Sequence, residues 1–143
     1  STSRGLGDVY KRQDLVSAAL AARGRAYAPY SRFQVGAALR TEDGAVFAGC
    51  NVENAAFPEG TCAEAGAIAA MVMGDGSRRI AEVVVAAEAK EPCTPCGGCR
   101  QKLREFGTAE TTVRMVDAAG ETVLLRRLGE LLPDSFGPGS FMG

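Results

Sequence analysis

Three cysteines and one glutamate stand in a spacing suited to hydrolytic metal chemistry: Cys62-Ala63-Glu64, and further along the chain Pro95-Cys96-Gly97-Gly98-Cys99. Three thiolates around Zn²⁺ leave one coordination position open to water, whereas a structural zinc takes four protein ligands. Glu64 follows a ligand by two residues and is the sole charge between Cys62 and Met73. A carboxylate in so apolar a segment is costly to desolvate unless it is used. Beside a zinc site it can take up a proton and deliver it elsewhere, which is general acid-base work.

The remaining composition narrows the chemistry. With no histidine in the chain, His triads, His proton shuttles and mixed Cys/His zinc sites are excluded together. Any acid-base catalyst must then be a carboxylate, Lys, Tyr or Cys. Five cysteines are an odd number, and three of them sit in ligand spacing, so reduced thiols fit better than a disulfide framework. Cys50 and Cys93 are expected to be ordinary thiols. A thioredoxin-type Cys96/Cys99 redox pair would need neither Cys62 nor Glu64, and a purely structural zinc site stands as the other alternative.

The chain has 143 residues, 46% of them hydrophobic, enough to build one core without disulfides. Sixteen Lys+Arg against 17 Asp+Glu, with no long run of either sign, leaves no footprint for a nucleic-acid backbone. No apolar stretch approaches the roughly 20 residues of a membrane span, and no signal peptide opens the chain. A soluble, cytoplasmic protein is expected, without nucleic-acid or membrane partners.

The elements that must position the cysteines can be read from pattern. Residues 1–13 have no sustained period and read as a tail of cloning or read-through origin, leaving 14–143 as a single domain. Leu15, Ala18, Ala19 and Ala22 recur at helical spacing before Gly24. Phe33 to Leu39 and Ala45 to Cys50 read as strands joined through Glu42-Asp43-Gly44, a hairpin signal. Cys62 to Met73 reads as a helix apolar on every side and therefore central. Glu82 to Ala87 is a continuous apolar strand suited to parallel pairing. A helix over Cys96 to Phe106, strands over Thr111 to Val116 and Glu121 to Leu125, and a short helix through Leu132 complete the order, with a loop-like tail after Pro133. This places Cys62 and Cys96 at helix starts, with Cys99 a turn further in, where dipoles and free N–H groups favour thiolates.

From about Leu15 to Pro138 the sequence resembles the small homotetrameric zinc-dependent cytidine deaminases. The likeness rests on Pro29-Tyr30-Ser31-Arg32-Phe33-Gln34-Val35-Gly36-Ala37-Ala38, Gly49-Cys50-Asn51-Val52-Glu53-Asn54-Ala55, Cys62-Ala63-Glu64, Pro95-Cys96-Gly97-Gly98-Cys99-Arg100-Gln101 and Leu131-Leu132-Pro133. It implies a three-layer α-β-α fold with a five-stranded mixed sheet, mostly parallel, and one zinc per subunit held by Cys62, Cys96 and Cys99. It implies hydrolytic deamination of cytidine and 2′-deoxycytidine with Glu64 as proton carrier, as in pyrimidine salvage. Asn51 and Glu53 would hold ribose hydroxyls, and Ala63 would offer a backbone contact to the base. Phe33 would line the pocket, while Phe57 and Phe136 would reach it from neighbouring subunits of a homotetramer.

The sugar roles agree with the chemistry of the residues. An Asn and a carboxylate two apart on an extended segment share a side, and a Glu there accepts from a hydroxyl and repels phosphate. No Gly-rich phosphate cradle lies nearby. Turn hydrogen bonds are the alternative role for both residues. Many family members carry Arg after the catalytic Glu, where it offsets the thiolate charge; here Ala65-Gly66 follows, and Arg100 is the candidate to compensate. That departure keeps open the deamination of another aminopyrimidine, such as modified cytosine nucleosides, isocytosine or a blasticidin-like compound. A non-catalytic zinc-stabilised interaction protein is the more distant alternative.

Overall fold

The computed structural model describes residues 15–142; the tail assigned to residues 1–13 lies outside them. Helix α1 covers residues 15–23, and β1 (Val35–Thr41) pairs antiparallel with β2 (Val46–Cys50). Their turn closes where the Thr41 N–H donates to the Ala45 carbonyl at 2.9 Å. Gly44 there has φ +89°, a left-handed conformation that glycine adopts without steric cost. The first strand starts two residues later than expected. Phe33 is not free to join a ladder, because its N–H donates to Ser31 Oγ and its carbonyl accepts from Asn51 Nδ2.

The sheet continues through β3 (Ile80–Ala87), β4 (Thr112–Val116) and β5 (Thr122–Arg127), in the order β2-β1-β3-β4-β5. It is mixed, but the expectation of a mostly parallel sheet is wrong: β3 with β4 is its one parallel pairing. Tight turns join β1 to β2 and β4 to β5, which forces antiparallel neighbours. Between β3 and β4 the chain crosses over through a helix, as parallel strands require.

Helices α2 (Ala63–Met73) and α3 (Gly97–Phe106) cover one face of the sheet, and α1 covers the other. The unbroken apolar run of β3 follows from this layering. Val83 and Val85 pack with Ala67, Met71, Leu103 and Met115, while Val84 and Ala86 pack with Leu15 and Ala19. Alternate residues on a strand thus meet different helices, and each fully buried Val, Leu or Met side chain contributes about 1.5–3 kcal/mol. Two further short helices follow, α4 (Leu128–Leu131) and α5 (Gly139–Met142). The second of these occupies the segment read as loop.

Two features of α2 matter for what it carries. At Gly49 on β2 a Cβ would lie 2.4 Å from the Ala67 nitrogen and 2.5 Å from the Ala63 carbonyl oxygen. Only glycine permits this approach, which presses the start of α2 against the sheet. The helix is also not central in the single chain, contrary to its apolar composition. Ala63, Ala67, Ile68 and Met71 are buried, but Ala69 is exposed and Met73 is 85% exposed.

Candidate active site

Cys62 is the N-cap of α2 and Cys96 the N-cap of α3, with Cys99 in the first turn of that helix. The expected placement at two helix starts is therefore what the chain adopts. Their three sulfurs lie within 4.8 Å of one another. Zn–S bonds near 2.3 Å in a tetrahedral site set the sulfurs about 3.8 Å apart, so this triangle is of the size a zinc ion needs. Cys99 is buried while Cys62 and Cys96 are exposed, which closes the cluster on the protein side and leaves its outer side open. Among the described residues no fourth Cys or acidic ligand joins them.

The thiols are not uniformly prepared for a metal. The backbone N–H of Cys99 holds Cys96 below the usual thiol value, as a helix start should. Burial instead pushes Cys62 up, and Cys99 far up, with the Glu64 charge acting in the same direction on both. Zinc binding must therefore displace protons from those two sulfurs. Glu64 itself is 5% exposed, and desolvation raises its carboxyl above the ordinary carboxylate range, partly opposed by the nearby Lys102 charge. A carboxyl so raised can both accept and donate a proton closer to neutral pH.

A cavity of ≈ 310 Å³ opens over this cluster, lined by Cys62, Ala63, Glu64 and Cys96 on one side and by Asn51, Glu53 and Phe57 on another. A second cavity of ≈ 370 Å³ adjoins it across Glu53, Phe57 and Gly60 and extends to Tyr30 and Ser31. The 51–53 segment is extended because Val52 is bridged to both Tyr27 and Thr61, and the Glu53 N–H donates to the Tyr27 carbonyl at 2.8 Å. Asn51 and Glu53 consequently reach the same cavity, as their spacing predicts.

Both of these side chains also hold local backbone. Asn51 Oδ1 accepts from the Val35 N–H at 2.9 Å, and its Nδ2 donates to the Phe33 carbonyl at 2.8 Å. Glu53 Oε1 accepts from the N–H groups of Tyr30 and Ser31 at 2.9 and 3.0 Å, and Oε2 accepts from the Ser31 hydroxyl. The turn-bonding role and the cavity-lining role thus coexist. Hydrogen bonds from the Ser31 hydroxyl and then the Ser31 and Tyr30 N–H groups hold the Glu53 carboxyl below its usual value, against a smaller desolvation effect.

The aromatic residues divide. Phe57 lines the cavity of its own chain, stacks edge-on against Tyr30 with centroids 5.9 Å apart, and is 75% exposed. It was expected to arrive from a neighbouring subunit. Phe33 is not among the cavity-lining residues and takes part through its backbone. Phe136 stands away from its own chain's cavity and is 58% exposed; its carbonyl is held by Gln101, and its ring meets Phe141 edge-on at 5.5 Å.

Arg100 does not turn to the sulfurs. Its guanidinium donates to the Pro95 carbonyl at 2.7 Å, the Leu131 carbonyl at 2.8 Å and Thr94 Oγ1 at 3.2 Å. It ties the segment before Cys96 to α4, so it positions a ligand rather than offsetting its charge. Sequence reasoning also missed Cys93 and Thr94 in the cavity wall and the Ser31 bond to Glu53. Adjacency to Cys96 and membership of the Pro29-Tyr30-Ser31 run were the available signals.

Comparison with known proteins agrees with this geometry. Residues 9–115 match the family described as the cytidine and deoxycytidylate deaminase zinc-binding region. A cytidine deaminase of Halalkalibacterium halodurans is 42% identical over 125 residues, covering 87% of this chain and 93% of that protein. One from Mycobacterium tuberculosis is 44% identical over 112 residues, covering 78% and 79% of the two chains. The crystal structure of a cytidine deaminase from Burkholderia pseudomallei superposes with a TM-score of 0.78 at 45% identity, covering 87% of this chain and 98% of that one.

Proposed function

The chain belongs to the cytidine and deoxycytidylate deaminase zinc-binding family, and from that membership we propose that it hydrolyses the exocyclic C–N bond of cytidine and 2′-deoxycytidine, releasing ammonia and the corresponding uridine. The observation that carries this is the single cavity in which Cys62, Cys96 and Glu64 face Asn51 and Glu53.

Cys62, Cys96 and Cys99 would hold the zinc. Bound there, the ion supplies a Lewis acid that makes water a nucleophile near neutral pH. Glu64 takes the proton that water loses on adding at C4, delivers it to ring N3, and passes a second to the departing amino group. One carboxyl serves both directions because burial has raised it towards neutrality. Ala63 is the first residue of α2, and Cys62 makes no side-chain cap bond to that helix. The Ala63 N–H is therefore one of the donors a helix start leaves without an intrahelical partner, available to a base carbonyl.

Glu53 and Asn51 would read the sugar. Oε1 of Glu53 already accepts two N–H groups and Oε2 one hydroxyl, so of roughly four acceptor positions one is left, on Oε2. One position takes one sugar hydroxyl, which is why ribose and 2′-deoxyribose can both be accepted. A phosphate in its place would meet a fixed negative charge. The direct test is ammonia release by the zinc-loaded protein across cytidine, 2′-deoxycytidine, N4- and C5-substituted cytidines and free cytosine. Turnover of the two nucleosides is expected to exceed that of the free base by at least about tenfold, the worth of one hydrogen bond to a charged acceptor. Activity on free bases alone would sink the sugar role of Glu53.

The active unit we infer is a homotetramer whose sites are shared, each formed from residues 14–143 of more than one copy. The exposed Phe136–Phe141 pair and the exposed outer face of α2 support it, since such apolar surface on one side of a chain is usually covered. Phe136→Ala should lower kcat/KM by about tenfold, as loss of a buried aromatic anchor does. Co-expressing it with Glu64→Gln should give mixed assemblies more active than the two parents summed. A fully active monomer in sedimentation, or no recovery on mixing, would refute shared sites.

A further inference from the structure

We propose that Ser31 is a positioning residue for sugar recognition, fixing the Glu53 carboxylate so that one acceptor lone pair faces the cavity. The proposal rests on the reading that Glu53 contacts the sugar. The Ser31 hydroxyl donates to Glu53 Oε2 and accepts from the Phe33 N–H at 3.0 Å. The Phe33 carbonyl in turn accepts from Asn51 Nδ2, and Asn51 Oδ1 accepts from the first residue of β1, Val35. A continuous chain of bonds thus runs from Glu53 through Ser31, Phe33 and Asn51 into the sheet. Ser31 is the link through which the two sugar-side residues are held in register with each other.

Its role is indirect because its one proton is already committed to Glu53, leaving the hydroxyl no donor for a ligand. The turn that carries it is also held in place. Arg32 has φ +58°, a left-handed conformation that costs a non-glycine residue of order 1 kcal/mol or more and persists where the surroundings impose it. Its N–H donates to the Ala28 carbonyl at 3.0 Å. With Ser31 gone, Oε1 keeps its two N–H donors but Oε2 has no donor fixing which lone pair is presented. Charge-assisted hydrogen bonds of this kind are the stronger ones, so the loss should be visible in binding.

The test measures kcat and KM on cytidine and on its 2′-deoxy and 3′-deoxy forms, for the zinc-loaded wild type, Ser31→Ala, Ser31→Thr and Glu53→Ala. In the wild type, removing one of the two hydroxyls should cost about tenfold in kcat/KM and removing the other little. Glu53→Ala should abolish that discrimination. Ser31→Ala should shrink it severalfold, mainly through KM, and the rise of KM in acid should begin at higher pH because the largest influence keeping Glu53 ionised is gone. Ser31→Thr, which keeps the hydroxyl, should restore discrimination; if Ser31→Ala does not fold, Ser31→Cys, a weaker donor, should fall between serine and no donor.

If Glu53→Ala loses discrimination while Ser31→Ala or Ser31→Cys keeps it with an unmoved pH profile, the Ser31 proposal is overturned and the sugar reading stands. If Glu53→Ala discriminates as the wild type does, or the wild type deaminates none of the three, the sugar reading fails and this proposal with it.

Discussion

Glu64→Gln is expected to lower kcat for cytidine deamination by at least about 10³-fold while the protein folds and binds zinc as before. The substitution keeps the side chain's size and removes its ability to carry a proton. Proton transfer by a positioned group contributes about 10²–10⁴-fold to a reaction, and here a single residue carries both the outgoing water proton and the incoming amine proton. No other group can take over, for the chain has no histidine and the other carboxylate in the cavity wall, Glu53, is tied by three hydrogen bonds to the 30–31 turn. Stability should not fall, because Glu64 is 5% exposed and desolvation already disfavours its charge. KM should change far less than kcat, since Glu64 acts on protons in flight. The measurement is steady-state ammonia release with zinc quantified in the same samples. A variant holding one zinc per chain with wild-type turnover would show that Glu64 is not the proton carrier.

The second large effect concerns the metal. Cys99 is 1% exposed and sits between the other two sulfurs and Glu64. Cys99→Ala should reduce bound zinc from one per chain to under about a tenth, and deamination with it by about 10³-fold or more, because two thiolates cannot complete the site. It should also destabilise the fold. A ligand present at a thousand times its dissociation constant adds about 4 kcal/mol to a folded state, which for a chain of this size is a Tm difference of about 10 °C. Wild-type protein stripped by a chelator should melt near the variant, within the about 1 kcal/mol that deleting one buried atom costs. If the stripped protein kept its Tm and its activity, the cysteine cluster would be neither structural nor catalytic. Stripping should be easier in acid. Zinc must displace protons that burial holds on Cys62 and Cys99, so its apparent affinity falls as pH decreases.

How much of this was legible in the sequence depends on whether the signal was local. The Asp43-Gly44 turn, the helices opened by Cys62 and Cys96, and the ligand triangle all follow from residue types at fixed spacing, and the chain adopts each within one or two residues. Strand partners are settled by contacts distant in sequence. The continuous apolar run of β3 therefore suggested parallel neighbours, although only its β4 side is parallel. Composition alone likewise made α2 look central; packing shows one face on the sheet and Met73 outside.

Side-chain direction was the least legible property. Arg100 follows a zinc ligand and invited a role in charge compensation, yet three oxygen acceptors on other segments draw its guanidinium away. Asn51 and Glu53 were weighed as either sugar contacts or turn-bonding residues. They line the cavity while also bonding the 30–35 backbone, an arrangement available only because Val52 is bridged on both sides. Phe57 was legible as an aromatic near the site, but its reach across its own cavity required the bend through Gly60 that no pattern announces.

The most direct measurement of the central claim is turnover of cytidine in ¹⁸O-labelled water by the zinc-loaded protein, followed by mass spectrometry of the pyrimidine product. Hydrolytic deamination predicts one equivalent of ammonia and uridine with a single ¹⁸O at C4, absent in the chelator-stripped protein and in Glu64→Gln. Unlabelled product, or no product from protein carrying a full complement of zinc, would contradict it.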